Sequence, residues 1–229
     1  MPDYYVAFWN VENLFDEENS PRRTEKLERT LRGELRAWSR EVLDRKIQQL
    51  ASIIRQMNGG KGPDLLGVCE IENEFVLDLL VSALGSLNRD YRIAHADTSD
   101  LRGIDVAFIY DGALFTNEAQ FSHVIVKRFA TRELFQVNFR TTGNKLLVVI
   151  GNHWPARSGG QYESEPYRII AGETLAYFHE RIRKSWAVMT LRCWRWGTLM
   201  MSRLTAPWWT MLRAIDCGPG SPGPGLRRS

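Results

Sequence analysis

The sequence predicts a single α/β (α+β) domain of mixed sheets and helices, and three observations predict it. Short apolar runs of strand length alternate with longer stretches of helical period, Gly, Pro and Asn punctuate the boundaries, and no segment repeats. Tyr4 to Trp9 is a buried strand with Asn10 at its end. Residues 16–29 turn from acidic to basic around Ser20-Pro21 and predict a loop. From Thr30 to Met57, Leu31, Leu35, Val42, Leu50, Ile53, Ile54 and Met57 recur at helical spacing, and Asn58-Gly59-Gly60 supplies the stop. Leu65 to Cys69 is a second buried strand that delivers Glu70. Phe75 to Leu84 has helical period. Val106–Tyr110, Phe135–Phe139 and Lys145–Ile150 are further strands, with a Gly143-Asn144 turn between the last two. The third runs into Gly151-Asn152-His153-Trp154-Pro155, and Pro166 to Arg183 is an amphipathic helix.

Composition narrows the class. The 229 residues carry a formal net charge of +3, compatible with an anionic substrate without demanding one. No apolar run reaches the ~18 residues of a membrane span. Cys69, Cys193 and Cys217 form an odd set without metal-ligand spacing, and the first residues lack the pattern of a secretion signal. Together these predict a reducing, cytoplasmic setting with no membrane partner.

Asn10, Glu70 and His153 each stand at a strand end, where α/β folds commonly place their sites. Singly, each has a plainer account. A glutamate after a strand is usually a solvated turn residue, an asparagine there is a turn former, and a lone histidine is more often structural. Glu12, Glu72, Glu74, Asp97 and Asp100 read as surface charges.

In order and together, the segments around these residues carry more information. Trp9-Asn10-Val11-Glu12-Asn13-Leu14-Phe15-Asp16 resembles the opening motif of the endonuclease/exonuclease/phosphatase (DNase I-like) superfamily. Asp64 to Asn73 resembles its second motif, Gly103 to Tyr110 its middle strand, and Gly151 to Gly160 its histidine-bearing strand end. The resemblance covers residues 4–185. It implies a four-layer α/β/β/α sandwich and a divalent-metal-dependent hydrolase of phosphate esters, most simply a nuclease or related phosphodiesterase. A phosphomonoesterase acting on a small phosphorylated ligand and a non-catalytic binding remnant compete with that reading.

Phosphate-ester cleavage adds negative charge to an anionic centre, which a hard cation such as Mg²⁺ (or Mn²⁺) offsets. By the resemblance, Glu70 ligates the metal. Asn10 orients the metal shell or the attacking water, and His153 donates to a non-bridging oxygen. Asn152 and Arg157 are further candidates for phosphate contact, with Arg102 behind them, although loop polarity explains each more simply. The expected partner is nucleic acid or a small phosphate ester.

After Ser185 the pattern breaks. Five of the eight tryptophans lie between Trp186 and Trp209, residues 218–225 are Gly/Pro-rich, and no period of 2 or 3.6 persists. The expectation is therefore 1–185 as the N-terminal part of the domain and 186–229 as an aberrant, disordered tail. The superfamily's Gly-Asp-x-Asn motif and late Asp-His pair are both missing after Gly160.

Reading the coding DNA with each codon begun at the third base of the present one changes this. Cys193 into Trp194 then gives leucine, Trp196 into Gly197 glycine, and Met200 into Met201 aspartate, all forced by the code. Trp194 into Arg195 gives alanine if the arginine codon begins CG. With the remaining bases free, Arg195 to Arg203 admits Met-Gly-Asp-Phe-Asn-Asp-Glu-Pro, which contains the missing motif. The sequence thus predicts a single-base slip near codons 185–189, a fold incomplete at its C-terminus, and a product that is catalytically dead or nearly so.

Overall fold

A computed structural model describes residues 3–97, 104–126, 133–154, 160–189, 198–201 and 210–214. In chain order these form β1 (Tyr4–Leu14), α1 (Glu25–Leu31), α2 (Arg40–Ile54), the single turn α3 (Met57–Gly60), β2 (Leu65–Ile71) and α4 (Glu74–Ala83). There follow β3 (Tyr91–His95), β4 (Asp105–Asp111), β5 (Phe115–His123), β6 (Leu134–Thr141), β7 (Leu146–Gly151), α5 (Gln161–Met189), β8 (Thr198–Met201) and β9 (Thr210–Ala214). One sheet has the order β3-β4-β2-β1-β9 and the other β5-β6-β7-β8.

The apolar runs become strands buried on both faces, as continuous rather than alternating hydrophobicity requires. Along β1 and β2, Val6 and Leu65 point to one cluster with Phe108, Phe135, Phe139 and Val149. Their neighbours Ala7 and Leu66 point to another, with Leu43, Ile47, Leu50 and Ile54 of α2 and Val76, Leu77 and Leu80 of α4. The first cluster is the seam between the two sheets. The rings of Phe108 and Phe135 stack across it at 5.8 Å. On the far side, Val148 and Ile150 of β7 pack under Ala171, Leu175 and Ile182 of α5. The layers are therefore helix, sheet, sheet, helix, the α/β/β/α sandwich that the resemblance implies.

Several element boundaries differ from the sequence expectation. The helix expected over Thr30–Met57 is divided: α1 ends at Leu31 and α2 begins at Arg40. Leu31 and Leu35 fit the helical period, but they serve a separate cluster with Phe15 and Ile104. Part of the expected 16–29 loop is α1, which starts where the Thr24 side chain caps the Leu27 N–H. The Asn58-Gly59 stop is as expected, with left-handed φ of 54° and 63°. Strands β3 and β5 have no counterpart in the sequence reading, because β5 alternates with only weak apolar character and is largely exposed. Beyond residue 185, α5 continues to Met189, and β8 and β9 add to the edges of the two sheets.

Candidate active site

β1 and β2 run parallel, with Asn10 registered against Cys69, so their C-terminal ends share one edge of the sheet. At that edge both strands are irregular. Between β2 and β4, Cys69 pairs with Val106 and Ile71 with Asp105, which leaves Glu70 as the extra residue of a bulge. Between β1 and β2 the register likewise breaks from Asn10 to Leu14. A bulge re-aims a side chain that regular pleating would send elsewhere. Glu70, Glu12 and Asn13 all adopt left-handed backbone, with φ of 67°, 57° and 58°. For non-glycine residues this costs on the order of 1–3 kcal/mol each and is concentrated at functional sites.

The third arm comes from the other sheet. β7 ends at Gly151, where a Cβ would stand 2.6 Å from Val106 Cγ1 and 2.9 Å from Phe108 Cζ. The missing side chain lets this strand end close onto β4, and the two residues that follow reach the edge carrying Glu70.

The result is a convergent cluster. Asn10 Nδ2 donates to Glu70 Oε1 at 2.9 Å, and His153 Nε2 lies 3.2 Å from the same oxygen. The Asn13 N–H donates to Glu70 Oε2 at 3.0 Å. Burial pushes the Glu70 carboxyl up, but the His153 and Asn10 side chains and the Asn13 N–H together outweigh it. They hold the group at about 2, well below its ordinary 4.5. Glu70 is therefore a carboxylate at any physiological pH.

Asn152 is 3 % exposed, and neither its amide nitrogen nor its oxygen has a hydrogen-bond partner. A buried side-chain amide left unsatisfied costs about 1–3 kcal/mol, so its retention beside His153 needs a reason. Arg157 and Arg102 lie outside the described residues.

The sequence reading treated Glu72 as a surface charge, and the structure corrects this. Glu72 and Arg23 form an ion pair at 2.7 Å with both side chains 1 % exposed. Glu72 also accepts the Asp16 N–H at 2.8 Å. Arg23 in turn donates to the main-chain oxygens of Asp16, Glu17 and Glu18. The clamp ties the chain after β1 to the end of β2, beside the site. No sequence period announces it, because its members come from a loop and a strand end. Lys46 of α2 was also missed. Its Nζ donates to the Glu12 carbonyl at 2.6 Å, and burial lowers its pKa against the pull of Glu12 and Glu70.

The endonuclease/exonuclease/phosphatase family model matches residues 5–185. The chain belongs to this family. The fold agrees: TDP2 from Caenorhabditis elegans superposes with a TM-score of 0.51 at 14% identity, over 80% of this chain and 42% of that one. A functionally unknown conserved protein from Enterococcus faecalis superposes with a TM-score of 0.51 at 14% identity, over 79% of this chain and 62% of that one. The family member described here thus spans less than two thirds of the length of either solved relative. No curated protein matches it in sequence. No helix among the described residues is long and apolar enough to cross a membrane.

Proposed function

We propose that this family member descends from a divalent-metal-dependent phosphodiesterase of nuclease type, and that its site is half built. The observation that supports the reading most directly is the convergence of Asn10, at the register break within β1, and His153, just past β7, onto the Glu70 carboxylate of β2. The residues fit Mg²⁺ or Mn²⁺. Mg²⁺ is typically held by one or two carboxylates with waters completing the octahedron, and Glu70 supplies one that is permanently charged. Asn10 fits less directly as a ligand, since its Oδ1 accepts the Glu12 N–H at 2.8 Å and its Nδ2 faces Glu70. It orients the ligand carboxylate. A bound cation would offset charge on the phosphate and orient it.

His153 sits where it can donate Nε2–H to a non-bridging oxygen, exchanging the Glu70 carboxylate for the phosphate. Asn152, buried without a hydrogen-bond partner next to it, would gain one from a bound phosphate. Nucleic acid or a small phosphate ester is the substrate class, in a reducing, cytoplasmic setting. What the described residues do not offer is a group to activate the attacking water. In the present frame, β8 (Thr198–Met201) lies parallel to β7, with Val148 against Thr198 and Gly151 against Met201. The shifted frame admits Gly-Asp-Phe-Asn across Trp196 to Met200, overlapping this segment, beside the strand that leads to Asn152 and His153.

The test compares the present chain with one made from the shifted frame, assaying Mg²⁺-dependent hydrolysis of DNA, RNA and small phosphate esters. The shifted-frame chain is expected to be active. His153→Ala should lower its rate by about 10²–10³-fold, as loss of one transition-state donor does. Glu70→Gln should abolish metal dependence, and the present chain should be inactive. An inactive shifted-frame chain across the whole panel would overturn the reading.

A further inference from the structure

We propose that His95, Asp97 and Asp105 form a second divalent-cation site, suited to Zn²⁺, outside the Asn10–Glu70–His153 cluster. β3 ends at His95 and β4 begins at Asp105, and their antiparallel register sets His95 against Ala107. The turn of chain just past β3 contributes Asp97. One ligand atom from each of the three residues lies within 4.8 Å of the others.

The closest pair has the dimensions of a metal polyhedron. His95 Nε2 is 3.1 Å from Asp105 Oδ2. Two ligands on a tetrahedral zinc at about 2.0–2.1 Å stand about 3.3 Å apart, so this pair already spans one edge. Both side chains are held before any ion arrives, at 4 % and 3 % exposure. Asp97 is exposed, with a carboxylate oxygen within 4.8 Å of the other two ligand atoms. An imidazole with two carboxylates favours a first-row transition ion over Mg²⁺ or Ca²⁺, which prefer all-oxygen shells.

The site also has an opening. A cleft of about 410 Å³ is lined by Arg22, Asn73, Glu74, Phe75, His95 and Asp97, and none of Asn10, Glu70 or His153 borders it. Three protein ligands with a fourth position open to a cleft is the arrangement of zinc sites that take an exchangeable ligand. Arg22, stacked 3.6 Å over the Phe75 ring, is paired with Asp16 at 2.7 Å on the wall of this cleft.

The test is Zn²⁺ titration of the full chain against a competing chelator, with the thiols blocked so that cysteines cannot bind the metal. The wild type is expected to take up a tightly held Zn²⁺ at His95, Asp97 and Asp105, besides any held at Glu70. Changes to groups that only support a ligand cost about 10–100-fold in metal affinity, so loss of a ligand itself should cost at least as much. His95→Ala is expected to lower affinity by about 100-fold or more, and Asp97→Ala by about tenfold or more. Asp97 is on the surface, so its replacement tests the site without threatening the fold. Glu70→Gln should leave in place the Zn²⁺ that His95→Ala and Asp97→Ala remove, which separates this site from the one proposed above. No uptake by the wild type, or wild-type affinity in both the His95→Ala and Asp97→Ala variants, would overturn the proposal. So would loss in Glu70→Gln alone.

Discussion

Glu70 gathers the contacts of Asn10, Asn13 and His153 onto one carboxylate. Its pKa lies at about 2 rather than the ordinary 4.5, so folding favours the ionised form. The linked stability is fully present above pH ~4.5 and is lost as pH falls toward ~2. Glu70→Gln keeps the shape and removes the titration. Urea unfolding at stepped pH should therefore show a flatter dependence for the variant across that window, and an unchanged slope would show that His153, Asn10 and Asn13 do not hold the charge. Asn152 makes the opposite case, a polar group that the fold leaves unsatisfied. Replacing it with leucine, of similar size, should raise stability by about 1–2 kcal/mol, because the unmet amide is removed. The same change should weaken binding of inorganic phosphate. A lower melting temperature for Asn152→Leu would refute the idea that this residue is kept for a ligand.

At the scale of elements, the site depends on how strand ends are shaped and held. Gly151 permits β7 to close on Val106 and Phe108. Gly151→Ala should cost about 1–3 kcal/mol by overpacking and should displace His153 from Glu70. The two effects are separable by measuring the melting temperature and, independently, the acid dependence of stability that His153 helps to create. Breaking the Arg23–Glu72 clamp with Arg23→Ala should cost more, about 3–5 kcal/mol, since it strands a buried carboxylate.

These features also mark what the sequence could and could not disclose. Strands β1, β2, β4 and β7 were legible because burial on both faces writes apolar runs, and β6 because Phe135, Val137 and Phe139 alternate with Gln136 and Asn138. The ends of those strands named Asn10, Glu70 and His153. The bulge that turns Glu70 inward was not legible, since a register shift is a property of two strands and leaves no mark on either. The Arg23–Glu72 clamp joins residues 49 apart and was hidden for the same reason. The helix expected across Thr30–Met57 failed because two clusters, one under α2 and one around Phe15, happen to draw on apolar residues in phase.

For the molecule as a whole, the decisive question is what belongs on the free edges of the two sheets. The described fold is layered around one inter-sheet seam, and β8 and β9 occupy the edges beside β7 and β1. Both fall in the segment where sequence periodicity ends and the code forces a glycine and an aspartate in the shifted frame. Burial contributes ~25 cal/mol per Å² of apolar surface, so several hundred Å² left uncovered forfeits several kcal/mol. That is comparable with the ~5–15 kcal/mol that keeps a domain folded. The present chain is therefore expected to unfold at low denaturant with a broad transition and to aggregate. The shifted-frame chain should unfold cooperatively and at higher denaturant, with a steeper dependence reflecting its larger buried surface. Resequencing codons 183–205 from independent source material decides the premise. A recovered base that opens the frame into Gly-Asp-Phe-Asn would make the shifted-frame chain the protein to study. The present frame, confirmed at the DNA level and paired with a sharp unfolding transition of the present chain, would mean that residues 186–229 complete the fold in their own way.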